Sequence, residues 1–256
     1  MIHPTATVDD AARLDATVRV EAHAVIGPDV EIGAGTRIGP HTVVLGPTRI
    51  GCDNAVHAHA CLGDAPQDKG YAGEPTTLEI GDRNIIREFV TMHRGTTEDA
   101  GRTRVGSDGF FMAYSHVAHD CRVGDGVIMA NGVTLGGHVE VGDRANLGGL
   151  CAIHQFVRIG RHVMLGGGSI VRKDIPPFAM ASGNRARLHG LNTRGLERAG
   201  FHAQSITALR RAYRTLFRSS RRLEDALDTL REGESAAPEV MELITFLEGS
   251  VRGVTR

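Results

Sequence analysis

Aliphatic residues recur every six positions along most of this chain, and that beat restricts its fold more than any other feature. Ile2, Val8, Leu14, Val20, Ile26, Ile32, Ile38, Val44, Ile50, Val56 and Leu62 stand six apart. The beat resumes at Ile80, Ile86 and Met92, restarts at Val105, and runs unbroken through Phe111 and Val117 to Val171. Fixed-period self-similarity marks a solenoid, in which each repeat buries its apolar face only by stacking on its neighbours. A helix places apolar residues three and four apart, and a half-buried strand places them two apart. A period of six fits neither unless each hexad is one short strand plus a corner. Gly or Asp often follows the aliphatic residue, as in Ile26-Gly27, Ile80-Gly81-Asp82 and Val123-Gly124-Asp125. These residues are expected to supply the corner backbone. The fifth place is small or β-branched (Ala6, Thr36, Thr42, Val133), which suits a narrow interior.

This pattern resembles the hexapeptide-repeat, left-handed parallel β-helix, a β-solenoid shaped as a triangular prism with three hexads per coil. The prism is expected over residues 1–178, closed by Pro176-Pro177, with loop excursions at 63–79 and 94–104. After it the period changes. Ile206, Leu209, Tyr213, Leu216 and Phe217 recur at helical spacing, as do Leu223, Ala226, Leu227 and Leu230, then Val240, Leu243, Ile244 and Leu247. A C-terminal α-helical subdomain over 179–256 is expected to cap the open solenoid end. Trp is absent and 33 glycines are present, as a thin solenoid requires. A formal net charge of −1 excludes a global polyelectrolyte role. No apolar stretch is long enough to span a bilayer, and because the repeat begins at Ile2 no signal sequence is expected. Cys52, Cys61, Cys121 and Cys151 show neither paired spacing nor a metal-knuckle motif, so reduced thiols in a cytoplasmic enzyme are expected.

Three hexads per coil also sort the histidines. The hexads opening at Met92, Val117, Leu135 and Ile153 fall on one side of successive coils, and they contain His93, His119, His138 and His154. His116 closes the hexad before Val117. His119, Gly137 and Gln155 are spaced by one coil and should stack, with Asp120 and His138 in a neighbouring line. At about 4.8 Å per coil these side chains lie within reach of one ligand. A row of imidazoles supports general-base catalysis, metal ligation, or hydrogen bonding to a sugar or phosphate. Structural hydrogen bonding is the plainer alternative. Asp120 can orient His119 only if the pair sits at a corner, because alternation along a strand separates neighbours. Gly136-Gly137 lets a substrate approach the backbone, where an N–H can hold an oxyanion. No Ser or Cys nucleophile motif accompanies them, so direct attack by an activated substrate hydroxyl on an acyl donor is the simplest mechanism.

The stretches Ile80-Gly-Asp-Arg-Asn, Thr91-Met-His-Arg-Gly-Thr, His116-Val-Ala-His-Asp-Cys, Gly136-Gly-His-Val, His154-Gln-Phe and Pro176-Pro-Phe are similar to the UDP-N-acetylglucosamine O-acyltransferase family of lipid A biosynthesis. The resemblance continues through Gly183-Asn, Gly190-Leu-Asn, Gly200-Phe and Arg252-Gly-Val-Thr-Arg. It implies transfer of an (R)-3-hydroxyacyl group from acyl carrier protein to the 3-hydroxyl of UDP-N-acetylglucosamine, with no metal and no cofactor. It implies His119 as general base, Asp120 behind it, and the Gly137 amide at the oxyanion. His93, His116, His138, His154, Gln155 and, from the first loop, Asp68 and Lys69 are implied at the substrates. A homotrimer is implied, in which Asn192 and Arg198 reach a neighbour's nucleotide. Gly167 and Arg185 fall where the family sets acyl length. The chain departs from the family at Lys69-Gly70, where Leu-Lys is common, and at Arg194, Ala199 and Arg185.

Between residues 185 and 222 ten arginines stand against the single acid Glu197, suggesting an acidic or phosphate-bearing partner. Nucleic acid fits less well, because interleaved stacking aromatics are few. Competing readings are the same chemistry on a 3-amino sugar nucleotide, a γ-class carbonic-anhydrase-like metal enzyme, and a non-catalytic binding solenoid. The γ class lacks the 63–79 insertion and the long basic tail.

Overall fold

Every aliphatic residue of the six-residue beat from Val20 to Val171 is buried, because each turns inward from a two- to four-residue strand. The structure, a computed structural model, describes residues 1–219, 221–233 and 237–256. Its strands stack in parallel into three sheets, the faces of a triangular prism. The first face runs from Thr7–Val8 to Ile170–Val171 in nine strands, and the second from Arg13–Leu14 to Arg158–Ile159 in eight. The third runs from Arg19–Val20 through Met164–Leu165 to Ala179–Ser182 and Arg187–Leu191. Val117 pairs with Leu135, and Leu135 with Ile153, so one coil is eighteen residues where no loop intervenes. The fifth-place residues Thr36, Thr42, Cys121, Val133 and Cys151 are buried as their size requires. Burial pushes the Cys121 thiol up to about 12, and all four cysteines are free.

The corners are built differently from the sequence expectation. The left-handed backbone belongs to the third residue after the aliphatic one: Asp29, Asp120, His138 and Phe156 have φ of 55°, 58°, 60° and 63°. The glycine directly after the aliphatic residue instead permits close coil stacking. A Cβ on Gly33 would lie 2.8 Å from the backbone of Gly51, and one on Gly124 would lie 2.8 Å from the Asp143 nitrogen.

Pro176-Pro177 does not end the prism. Ala179–Ser182 adds to the third face by pairing Met180 with Met164, and the chain then reverses into Arg187–Leu191. Ile170 bridges Asn184, carrying the first face past 178 as well. Two prolines are tolerated because Ile175-Pro176-Pro177-Phe178 forms the last corner of its face. The coil below bonds to this corner through the Gly160 amide to the Ile175 carbonyl and the Phe178 amide to the Arg161 carbonyl, neither of which uses an amide at 176 or 177. The two excursions are also shorter than expected, since Thr77–Ile80 and Arg102–Val105 are strands of the second face.

Helices α1 (Thr193–Arg198), α2 (Ala203–Phe217), α3 (Leu223–Gly233) and α4 (Pro238–Glu248) follow. The apolar residues expected from helical spacing form their own core, with Leu209, Leu216, Leu230, Leu243 and Leu247 around Phe178. Tyr213 joins the solenoid core, and α4 is tied to the second face by the Arg161–Glu242 ion pair at 2.6 Å and by Arg158 over Phe246 at 4.5 Å.

His162 sits beneath this junction, 5.0 Å from the Phe201 ring and stacked on Phe178. Burial, with Arg161 and Arg144 nearby, lowers its pKa to about 4, against the opposing Asp143. The unfolded imidazole takes its proton near 6.5, so stability is complete above that pH and declines as pH falls toward 4. We expect the urea midpoint to drop between pH 7 and pH 5, and to drop less in His162→Phe. An equal drop in both proteins would reject His162 as a source of acid lability.

Candidate active site

His119 lies in the turn just after the His116–Val117 strand, where the chain passes from the first face to the second. The left-handed Asp120 brings two successive side chains to one side, which strand alternation would have forbidden. His119 Nδ1 lies 2.9 Å from Asp120 Oδ2. The carboxylate has no water to solvate it, since Asp120 is buried. The second loop replaces that solvation: the Thr96 amide donates to both oxygens at 2.9 and 3.1 Å, and its hydroxyl donates at 2.7 Å. On the strand that follows that loop, Thr103 Oγ1 accepts the Asp120 amide at 2.8 Å. An acceptor fixed at Nδ1 keeps the proton there and leaves the Nε2 lone pair free to take another.

Nε2 points into the space between the coils and the first loop. Asp68 Oδ2 lies 3.9 Å from it. His138 sits edge-on to His119 with ring centres 5.2 Å apart, and its Nε2 is 3.7 Å from Asp120 Oδ2. Its own ring stacks on Phe156 at 4.4 Å. The His119 and His138 side chains are only 12% and 11% exposed. Gly137 borders the same space. A Cβ there would lie 2.5 and 2.6 Å from His119 Cε1 and Nε2, so only glycine leaves the imidazole in place. The amides of Gly136 and His138 donate to Ile153 and His119 carbonyls. Among the described residues the Gly137 amide has no backbone acceptor and is available to a developing anion.

One coil below, Thr91 Oγ1 is 2.7 Å from His116 Nδ1. Burial, reinforced by His93 and His119, holds the His116 pKa down to about 4. His93 packs edge-on to His116 at 5.1 Å, and its pKa is also lowered, chiefly by burial, with Asp64 opposing. Both rings therefore stay neutral near pH 7 and add no positive charge beside His119. His93 Nδ1 is buried with no hydrogen-bond partner among the described residues.

The other residues picked out by sequence fall into three groups. His154 and Gln155 occupy the next coil on the same corner, both exposed; His154 Nδ1 is 3.1 Å from the Gln155 carbonyl and 3.3 Å from Arg252. Lys69 is exposed beside Asp68. Asn192, Arg198, Gly167 and Arg185 are not brought to His119 within one chain. Asn192 caps α1, accepting the Gly195 amide at 3.1 Å and donating to the His162 carbonyl at 2.9 Å, and Arg198 is exposed in the last turn of that helix. Gly167 lies at the corner between the third and first faces, and Arg185 follows at the reversal after Ser182. Sequence reasoning missed Thr96, Thr103 and Phe156. Phe156 was one coil beyond His138 and could have been found; the threonines touch Asp120 across a loop of unknown path.

Ligand atoms of His119, Asp120 and His138 lie within 4.8 Å of one another, a spacing a cation could bridge. The carboxylate, however, already accepts three hydrogen bonds from Thr96 and one from His119. That donor set suits an oriented imidazole better than a metal ligand.

Replacing Thr96 by Val keeps the amide bonds to Asp120 and removes the hydroxyl bond. A hydrogen bond to a charged group is worth about 1.5–3 kcal/mol. We expect kcat to fall about tenfold or more, with Thr96→Ser restoring it; equal activity in the Val and Ser variants would remove Thr96 from the positioning of Asp120.

Residues 174–255 match the family described as UDP N-acetylglucosamine O-acyltransferase, domain 2, and residues 11–46 and 102–137 match the bacterial transferase hexapeptide family. An acyl-[acyl-carrier-protein]–UDP-N-acetylglucosamine O-acyltransferase of Herminiimonas arsenicoxydans is 53% identical, covering 100% of this chain and 99% of its own. The enzyme of that name from Thiobacillus denitrificans is 52% identical at the same coverage. The solved LpxA structure from Acinetobacter baumannii superposes with a TM-score of 0.97 at 43% identity, over 100% of this chain and 99% of that one. By its whole-length identity, its fold and its matched repeats, this chain belongs to the UDP-N-acetylglucosamine O-acyltransferase family.

Proposed function

We propose that this protein transfers an (R)-3-hydroxyacyl group from acyl carrier protein to the 3-hydroxyl of UDP-N-acetylglucosamine, the first step of lipid A biosynthesis. The observation that carries the reading is the His119–Asp120 pair, with Nε2 directed at a space bounded by Asp68 and the unpaired Gly137 amide. The sugar hydroxyl sits between Nε2 and Asp68. As Nε2 takes its proton, the oxygen attacks the thioester carbonyl, and the charge that develops on the carbonyl oxygen is met by the Gly137 N–H. Collapse breaks the C–S bond, and His119 returns the proton to the departing thiolate. Asp120 stabilises the imidazolium in between without itself being protonated. The neutral His93 and His116, with His138, His154 and Gln155, hold the sugar nucleotide along the corner.

Asn192 and Arg198 are far from His119 within one chain, and a homotrimer with sites between adjacent prisms gives them a neighbour's nucleotide to bind. Gly167 then borders the acyl chain across the same cleft. A cytoplasmic location agrees with the two substrates and with four free cysteines. None of the helices is long and apolar enough to cross a membrane among the described residues.

The reaction releases one carrier thiol per acyl group moved. Thiol release that requires UDP-N-acetylglucosamine is the expected result; binding of the nucleotide with no thiol release would make the protein a non-catalytic solenoid.

A further inference from the structure

The corner that carries His119, Gly137 and Gln155 continues one coil further to Lys173, and the line through His154 continues to Arg172. At roughly 4.8 Å per coil, Lys173 stands about 14 Å along the prism from His119. There the chain end folds back onto the last coil, through the Asp174–Val254 bridge. Between them lies a cavity of about 590 Å³. Arg172, Lys173, Arg185, Arg187, Arg252 and Arg256 line it, and no acidic side chain does.

This arrangement is unlike the second face. Along the second face arginines alternate with acids, as in Arg13–Glu31, Arg122–Glu140 and Arg158–Glu140, so their charges are neutralised in place. None of the six cations of the cavity makes an ion pair among the described residues, and gathering them costs mutual repulsion that an anion would relieve. Arg252 has a buried Nε with no hydrogen-bond partner, while its Nη2 lies 3.3 Å from His154 Nδ1. It also lines the neighbouring cavity that holds His138 and Phe156. Arg252 therefore joins the cationic cavity to the catalytic corner.

We infer that this cavity is a binding site for a phosphate-bearing anion, held by Arg172, Lys173, Arg185, Arg187, Arg252 and Arg256. Guanidinium groups match phosphate oxygens in bidentate fashion, and six cations suit a multiply charged group such as a diphosphate. Arg185 is thereby an anion ligand rather than part of an acyl ruler. The inference depends on the transferase reading only for the source of the phosphate, which is either the sugar nucleotide or the phosphorylated arm of the acyl carrier protein.

The test is calorimetric titration of the intact protein with inorganic pyrophosphate at low and moderate salt, without turnover. The partners are Arg172→Gln/Lys173→Gln and, independently, Arg185→Gln/Arg187→Gln; most of these side chains are exposed, so folding is preserved. We expect saturable binding that weakens with salt and at least a tenfold loss in each double variant. Absent binding in the unaltered protein, or binding in both variants as tight as in the unaltered protein, overturns the site. The source is read separately: a raised KM for UDP-N-acetylglucosamine assigns the cavity to the nucleotide, and a raised KM for the carrier protein assigns it to the arm. If pyrophosphate binding is lost and neither KM moves, the site stands as one for a free phosphate anion.

Discussion

His119→Ala is expected to lower kcat by about 10²–10⁴-fold while the thermal transition stays near that of the unaltered protein. The two halves of this expectation come from different parts of the structure. Among the described residues, His119 is the one imidazole whose Nδ1 is fixed by a buried carboxylate and whose Nε2 is left to face Asp68. Removing it removes the proton acceptor and leaves the oxyanion donor at Gly137. The ring contributes little to the core, because Val117, Cys121 and Val123 carry the interior of that coil. Steady-state kinetics and a melting curve on one preparation check both halves. Retention of more than a tenth of the rate would mean that His138 or His116 is the base.

Gly137→Ala should be nearly as damaging, by a different route. The added methyl would lie 2.5 Å from His119 Cε1 and 2.6 Å from Nε2, far inside contact distance. The Gly137 backbone is not in the left-handed region, so alanine is accepted by the chain, and the imidazole must move instead. A displacement of about 1 Å at a reacting centre can cost on the order of 10²-fold. We expect that loss in kcat, and no further loss when Gly137→Ala is added to His119→Ala, since the methyl acts through the ring. Losses that multiply in the double variant would show that Gly137 acts mainly through its amide.

The repeat made an unusual share of this molecule legible. A beat of six, eighteen per coil, places His119 beside Gly137 and His138 beside Asp120, because parallel in-register stacking converts sequence spacing into distance. The same arithmetic failed wherever the chain left the coil. Thr96 and Asp68 reach the His119–Asp120 pair from the two loops, whose paths carry no periodic signal. The corner chemistry was misassigned: the visible glycines relieve crowding between coils, and residues as bulky as His138 and Phe156 adopt the left-handed conformation. The prism continues past Pro176-Pro177, where proline alone suggests a stop, because the two prolines occupy a corner rather than a strand. The ladder bonds there run from the Gly160 amide to the Ile175 carbonyl and from the Phe178 amide to the Arg161 carbonyl, so neither proline's missing amide is needed. The basic tail was seen as one run of arginines, yet Arg185 and Arg187 join Arg172, Lys173, Arg252 and Arg256, which come from both sides of that run.

The central claim, acyl transfer to a sugar hydroxyl by the His119–Asp120 pair, is tested most directly by product mass. Purified protein is given a mixed-length pool of 3-hydroxyacyl carrier proteins with UDP-N-acetylglucosamine and its 3-amino analogue in competition. The account predicts an ester-linked acyl nucleotide on the 3-hydroxyl, absent in His119→Ala, with one acyl length dominating. Product on the amine alone would contradict the assignment of the acceptor, and acyl transfer undiminished in His119→Ala would contradict the mechanism.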